Sequence, residues 1–143
     1  MMISTKGRYA LRVMIDIAEH QHDGYIPLKE IAARQEISEK YLEAIVKSLV
    51  KERYLTGLRG KSGGYRLTRT PEEYTVGNIL RLTEGSLAPV ACLEQNPVEC
   101  RRVAECRTLP MWRKLNTMIN DYFDSISLAD LVNTAQPGND YVI

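Results

Sequence analysis

The chain is short of the residues that most enzymes and membrane proteins depend on. It carries two histidines, one tryptophan and one phenylalanine among 143 residues. No apolar run approaches the length needed to cross a bilayer, which excludes a membrane-spanning helix and any membrane partner. The opening MMISTKGRYAL puts polar and basic residues where a secretory apolar core would lie, so a cytoplasmic location is expected. No constellation of base, acid and nucleophile stands out, and an enzyme is not expected. RGKSGGY lacks the GxxxxGK[ST] spacing of a phosphate-binding loop, so neither nucleotide hydrolysis nor a small-molecule substrate is expected. Three cysteines are too few for a disulfide framework, and the odd count leaves at least one unpaired in the monomer. A cytosolic setting disfavours pairing the others.

Charge is unevenly placed. Residues 1–70 hold 13 Lys and Arg against 8 Asp and Glu, a net of +5, whereas residues 71–143 hold 6 against 10, a net of −4. A basic half joined to an acidic one suits a polyanion-binding end followed by an end with another task, although small counts also allow a chance partition.

Periodicity supplies the elements. Tyr9, Ala10, Val13, Met14, Ile17 and Ala18 recur at helical spacing and predict a first helix over 5–20, broken near Gly24. A short helix follows Pro27 over LKEIAAR. Ser38 then reads as the N-cap of a third helix, SEKYLEAIVKSLVKERYL, with Leu42, Ile45, Val46, Leu49 and Val50 inward. This order is a helix-turn-helix. TGLRG and YRLTR around KSGG predict a hairpin, which in this position is a wing. A fourth helix is expected over 72–84, with Val76, Ile79, Leu80 and Leu82 apolar. A loop without regular period runs from 85 to 109, and a long helix is expected over 110–126. In that helix Trp112, Leu115, Ile119, Tyr122 and Ile126 are spaced 3, 4, 3, 4 as in an a/d seam. The seam either packs on its own domain or crosses to a second copy, and the second is the expectation because DNA sites are commonly read by two-fold dimers. Ser127 with Asp130 reads as a capping box opening a last helix, LADLVNTA, before a frayed tail PGNDYVI. The fold class is therefore mainly α: a winged helix-turn-helix over 1–84, a cysteine loop over 85–109, and a dimerisation helix with a C-terminal helix and tail over 110–143.

A helix enters the major groove of DNA because the groove is wide enough to admit it, and its first turn reaches the base edges. Here that turn offers Ser38, Lys40 and Tyr41 as donors to bases or phosphates. Glu43 is either an acceptor for a cytosine amino group or a solvated partner of Lys40 or Lys47. In the wing, Arg59, Lys61, Ser62, Gly63, Gly64 and Tyr65 suit a narrow minor groove, where an arginine meets the most negative potential and glycines allow close approach. A plain hairpin loop would show the same composition. Lys6, Arg8 and Arg12 on the first helix are placed for phosphate contacts.

Cys92, Cys100 and Cys106 all fall in the irregular loop, with gaps of seven and five residues. Gathered thiolates suit an iron–sulfur cluster, zinc or copper(I), or serve as simple sensing thiols. The gaps match neither structural zinc pairs nor ferredoxin spacing. Arg101, Arg102 and Arg107 would lower thiol pKa and offset an anionic cluster, or merely solvate the loop.

Together, ISTKGRYAL, ISEKYLEAIVKSLVKERYL, the wing RGKSGGYRL, VGNILRLTEG and the long helix from Trp112 resemble the IscR family of bacterial winged-helix regulators over nearly the whole chain. That family takes in the iron–sulfur sensor IscR, the nitric-oxide sensor NsrR and the cysteine-metabolism repressor CymR. The resemblance implies a homodimer on double-stranded DNA, with recognition helices in successive major grooves, wings in minor grooves and long helices crossing at the interface. It further implies a repressor of iron–sulfur assembly genes whose Cys92, Cys100 and Cys106 hold a cluster, 2Fe–2S in preference to 4Fe–4S. A same-fold regulator answering nitric oxide or cysteine metabolism is the alternative, its cysteines being NO-sensitive cluster ligands or plain thiols. Two departures bear on the fourth ligand. Leu109 stands where IscR-type members place a histidine, and Arg8 stands where NsrR-type members place a carboxylate. Glu99, Glu105, a residue of a partner chain or a small exogenous molecule are the remaining candidates, and His20 and His22 lie outside the loop.

Overall fold

The computed structural model describes residues 3–22, 24–95 and 97–134. Helix α1, Thr5–His20, starts where the Ser4 hydroxyl accepts from the Gly7 N–H at 3.0 Å, and it buries Ala10, Val13, Met14 and Ile17. Helices α2, Leu28–Gln35, and α3, Glu39–Lys51, pack beneath it, with Ile31, Leu42, Ile45, Val46 and Leu49 completing one core. These side chains repeat at three and four residues, so burying each stripe fixes the rotation of its helix.

The end of α3 differs from expectation, whereas α2 ends within one residue of the expected Arg34, and both close in the same way. α3 stops at Lys51 rather than running to Leu55. Arg53 turns left-handed at φ 63°, the Tyr54 N–H reaches back to the Leu49 carbonyl at 2.8 Å, and the Arg53 N–H reaches Val50 at 3.0 Å. That is the Schellman closure, made without the usual glycine. α2 ends likewise, with Glu36 at φ 55° and the Ile37 N–H on the Ala32 carbonyl. The helix expected over 72–84 is also divided. Pro71–Glu73 forms a short 3-10 turn, Tyr74 is extended, and α4 runs only from Val76 to Glu84 behind the Thr75 cap. The break places Tyr74 in the main core, where its hydroxyl donates to the Tyr54 carbonyl and accepts from the N–H groups of Thr68 and Arg69.

The wing is the antiparallel pair β1, Leu55–Leu58, and β2, Gly64–Leu67, in register from Leu55 opposite Leu67 to Leu58 opposite Gly64. The Ile26 and Tyr65 backbones exchange two hydrogen bonds of 2.8 Å, tying the linker after α1 to β2. Gly64, at φ 148°, lies so close to that linker that a Cβ would sit 2.2 Å from the Ile26 carbonyl oxygen.

Helix α5, Leu109–Asp124, and α6, Leu128–Val132, close the fold. The capping box of Ser127 and Asp130 forms as expected, though α6 is shorter than the eight residues foreseen. Leu128 enters the main core. The expected tail PGNDYVI lies outside the described residues. Among the described residues no helix is long and apolar enough to cross a membrane.

Candidate nucleic-acid interface and cysteine loop

Leu42, Ile45, Val46 and Leu49 of α3 are committed to the core, while Val50, expected inward, is exposed, and the opposite face of the helix is held outward in one rotation. Ser38, Lys40, Tyr41, Glu43 and Lys47 are exposed on it. The Ser38 hydroxyl is already engaged, accepting from the Tyr41 N–H at 3.1 Å as the N-cap. Glu43 and Lys47 face the wing across a groove of about 650 Å³, whose far wall is Leu58, Arg59, Gly60, Gly63, Gly64 and Tyr65. Among the described residues no ion pair joins Glu43 to Lys40 or Lys47.

Arg59, Lys61 and Ser62 are exposed at the wing tip. Gly63 is buried there by the turn itself. Its N–H donates to the Gly60 carbonyl, and a Cβ would sit 2.1 Å from the Leu58 oxygen, so the turn has its own need for glycine. Tyr65 is half-buried and packs on the main core. The three cations of α1 divide. Lys6 is half-buried in the first turn, and Arg8 donates to the Thr5 hydroxyl. Arg12 donates to the Gln35 side chain and carbonyl and lies over the Tyr9 ring.

Sequence reasoning passed over the anchor beneath this surface. Asp16 is buried on the inner face of α1. It accepts from Arg34 Nη2 at 2.7 Å and Nε at 3.0 Å and from the Gln35 amide at 2.8 Å. The hydrogen bond it donates to Asp16 pushes the Arg34 guanidinium pKa up from its ordinary value, while partial burial opposes it. A buried charge is tolerated only when paired and hydrogen-bonded in this way. An aspartate at an apolar position of an amphipathic helix was the available signal.

The cysteines lie in irregular chain ahead of α5. Cys92 is half-buried in the 3-10 turn Ala91–Leu93, Cys100 is exposed, and Cys106 is half-buried. Cys100 and Cys106 share a shallow pocket of about 490 Å³ with Arg102, Glu105, Arg107 and Thr108, and Cys92 is not part of it. Among the described residues no three His, Cys, Asp or Glu side chains converge closely enough to hold a metal ion. Glu105 is the one fourth-ligand candidate that lines the pocket, and Leu109 is buried. The Cys106 sulfur lies 3.5 Å from the Thr108 hydroxyl. Hydrogen bonds from that hydroxyl and from the Thr108 N–H hold the Cys106 thiol below its ordinary pKa, desolvation opposes them, and the Leu109 N–H and the Arg102 charge add to the lowering. The Cys106 sulfur thus sits just ahead of α5, where the helix dipole favours negative charge. Soft thiolates rimmed by arginines are a donor set that fits an iron–sulfur cluster.

α5 joins this loop to α4. Arg81 on α4 bonds Asn120 and Asp124, and Ile119, Phe123 and Ile126 pack with Val76, Leu80 and Leu87 in a second apolar cluster. The expected seam is therefore split. Ile119 and Ile126 turn into the chain's own core, while Leu115 and Tyr122 join Met111 and Met118 on an exposed stripe.

Comparison with known proteins matches residues 3–134 to the family described as Rrf2, iron-dependent transcriptional regulator. The HTH-type transcriptional regulator IscR of Erwinia tasmaniensis is 36% identical over 136 residues, covering 95% of this chain and 81% of the relative. Protein rrf2 of Nitratidesulfovibrio vulgaris is 38% identical over 135 residues, covering 94% and 89%. Among solved structures, CymR, the global cysteine regulator of B. subtilis, superposes with a TM-score of 0.78 at 34% identity, covering 95% of this chain and 99% of that one. T. potens IscR gives 0.74 at 35% identity, covering 99% and 97%.

Proposed function

The chain belongs to the Rrf2 family of transcriptional regulators, it is a DNA-binding regulator rather than an enzyme, and from that premise we propose that it is a homodimeric repressor of iron–sulfur assembly genes that senses an iron–sulfur cluster. In this reading residues 1–84 bind double-stranded DNA, residues 85–109 hold the cluster, and residues 110–143 pair two copies. Ser38, Lys40, Tyr41 and Glu43 meet the major groove. Arg59, Lys61, Ser62, Gly63, Gly64 and Tyr65 meet the minor groove, and Lys6 meets a phosphate. Cys92, Cys100 and Cys106 are the ligands of a 2Fe–2S cluster, which would supply sensitivity to oxidants and to iron supply.

The observation that carries this is the placing of two thiols, Cys100 and Cys106, in one arginine-rimmed pocket at the start of α5. The IscR-named relatives support the choice of an iron–sulfur cluster over zinc. Because α5 is clamped to α4 by Arg81, closing Cys92 onto that pocket would act on the helix that sets the two DNA-binding halves relative to each other.

Anaerobic purification followed by a visible absorption spectrum tests the reading. A brown protein bleached by Cys→Ala at any of the three positions is expected. A protein that stays colourless under every reconstitution condition would sink it. The likeness to CymR favours the second reading in that event: a regulator tied to cysteine metabolism, its cysteines acting as thiols.

A further inference from the structure

Arg12 lies at the crossing of α1 and the helix-turn-helix. Its Nε donates to Gln35 Oε1 at 3.0 Å, and its Nη2 donates to the Gln35 carbonyl. Its guanidinium carbon stands 5.1 Å from the centroid of the Tyr9 ring. Tyr9 in turn meets Tyr41 edge to face, centroids 5.6 Å apart at 80°. Gln35 is the last residue of α2, three before the Ser38 cap, and Tyr41 is three after it. Arg12 therefore braces the end of α2 directly and the first turn of α3 through Tyr9. Gln35 is held from below as well, since its amide donates to the buried Asp16.

We infer that Arg12 is a positioning residue that sets the angle of α3 for reading base edges, and that it is not a phosphate contact. With Nε and Nη2 committed to Gln35 and one face to Tyr9, the guanidinium is held in a fixed orientation against the end of α2. Base reading depends on hydrogen bonds with narrow distance and angle limits, so a small rotation of α3 at its first turn forfeits them, whereas phosphate contacts tolerate it. Lysine cannot replace this arginine, because a point ammonium has neither the fork nor the planar face.

The inference rests on α3 being the DNA-reading helix, and the test separates the two. A duplex selected from a random library by the wild-type protein, and a scrambled duplex of equal length, are titrated by fluorescence anisotropy at several salt concentrations. The variants are Arg12→Gln, Arg12→Lys, Tyr9→Phe, Tyr9→Leu and Lys40→Ala, each checked by thermal melting. Arg12→Gln and Arg12→Lys should both lose about tenfold on the selected duplex. Both should keep the wild-type salt slope and the wild-type affinity for the scrambled duplex. Tyr9→Phe should bind as wild type, and Tyr9→Leu should behave like Arg12→Gln. If Arg12→Gln does not fold, Arg12→Lys and Tyr9→Leu decide the matter. A slope lowered by about one in Arg12→Gln and restored in Arg12→Lys would mark a phosphate contact and overturn the inference. So would equal losses on both duplexes, or no loss at all. Lys40→Ala should weaken binding. If it has no effect, or if the wild type binds no duplex, the DNA-facing reading of α3 falls and this inference falls with it.

Discussion

Arg81 holds Asp124 by two parallel hydrogen bonds of 2.9 and 2.8 Å, and a methyl group on Gly77 would stand 2.0 Å from the same carboxylate oxygen. One helix turn of α4 thus supplies both the grip on α5 and the gap that the gripped side chain fills. The pair is partly exposed, 32% for Arg81 and 43% for Asp124, so its contribution is on the order of 1 kcal/mol or less.

Gly77→Ala should therefore have a context-dependent effect. In an Asp124→Ala background it should stabilise by about 0.5–1 kcal/mol, the helix-propensity gain of alanine over glycine. In the wild-type background that gain should be cancelled or reversed, because Asp124 must leave Arg81. Urea unfolding of the four proteins measures the non-additivity, and strict additivity would refute the steric coupling.

Tyr74→Phe should destabilise by about 1–3 kcal/mol, because the hydroxyl serves two N–H groups and a carbonyl in partly buried surroundings and no water can replace all three. The ring and its edge-on contact with Tyr54, 5.5 Å between centroids, would remain. Equal unfolding midpoints for the two proteins would refute this.

Glu73 closes a capping box with Thr70. The Thr70 N–H at 2.9 Å, then its hydroxyl at 3.1 Å, hold the Glu73 carboxyl below its ordinary pKa. A depressed folded pKa contributes stability above the unfolded value, and the contribution is lost as pH falls through the folded one. Wild type should thus be more stable than Glu73→Gln at neutral pH, with the difference closing below the ordinary carboxylate range. A difference that grew on acidification would contradict the box.

Leu115→Glu and Met118→Glu should leave the fold intact, since both side chains are exposed in the single chain, 38% and 56%. If the stripe joins two copies, each variant should sediment as a monomer at concentrations where wild type is a dimer, because two charges would be buried across a two-fold axis.

The elements that depend on a repeating stripe were legible from the residues. α1, α2 and the body of α3 follow their apolar period, and Ser38 and Ser127 cap where their spacing indicated. The stop of α3 was not legible, because Arg53 turns left-handed without glycine or asparagine to announce it. Nor was the break at Tyr74, whose burial requires it to leave the helix that Val76 begins.

The sequence by itself determined the family of shapes, the exposed face of α3, the basic wing and the gathering of every cysteine into one loop, because each of these follows from local spacing. Contacts across long separations were decided only by the tertiary structure. Arg12 was set against Gln35, 23 residues away, and Ile119 was divided from Leu115 by the reach of α4. Cys92 was left apart from the pocket that Cys100 and Cys106 share. A charge or a thiol carries no mark of its partner, and which partner it meets depends on how the buried stripes set the helices against one another.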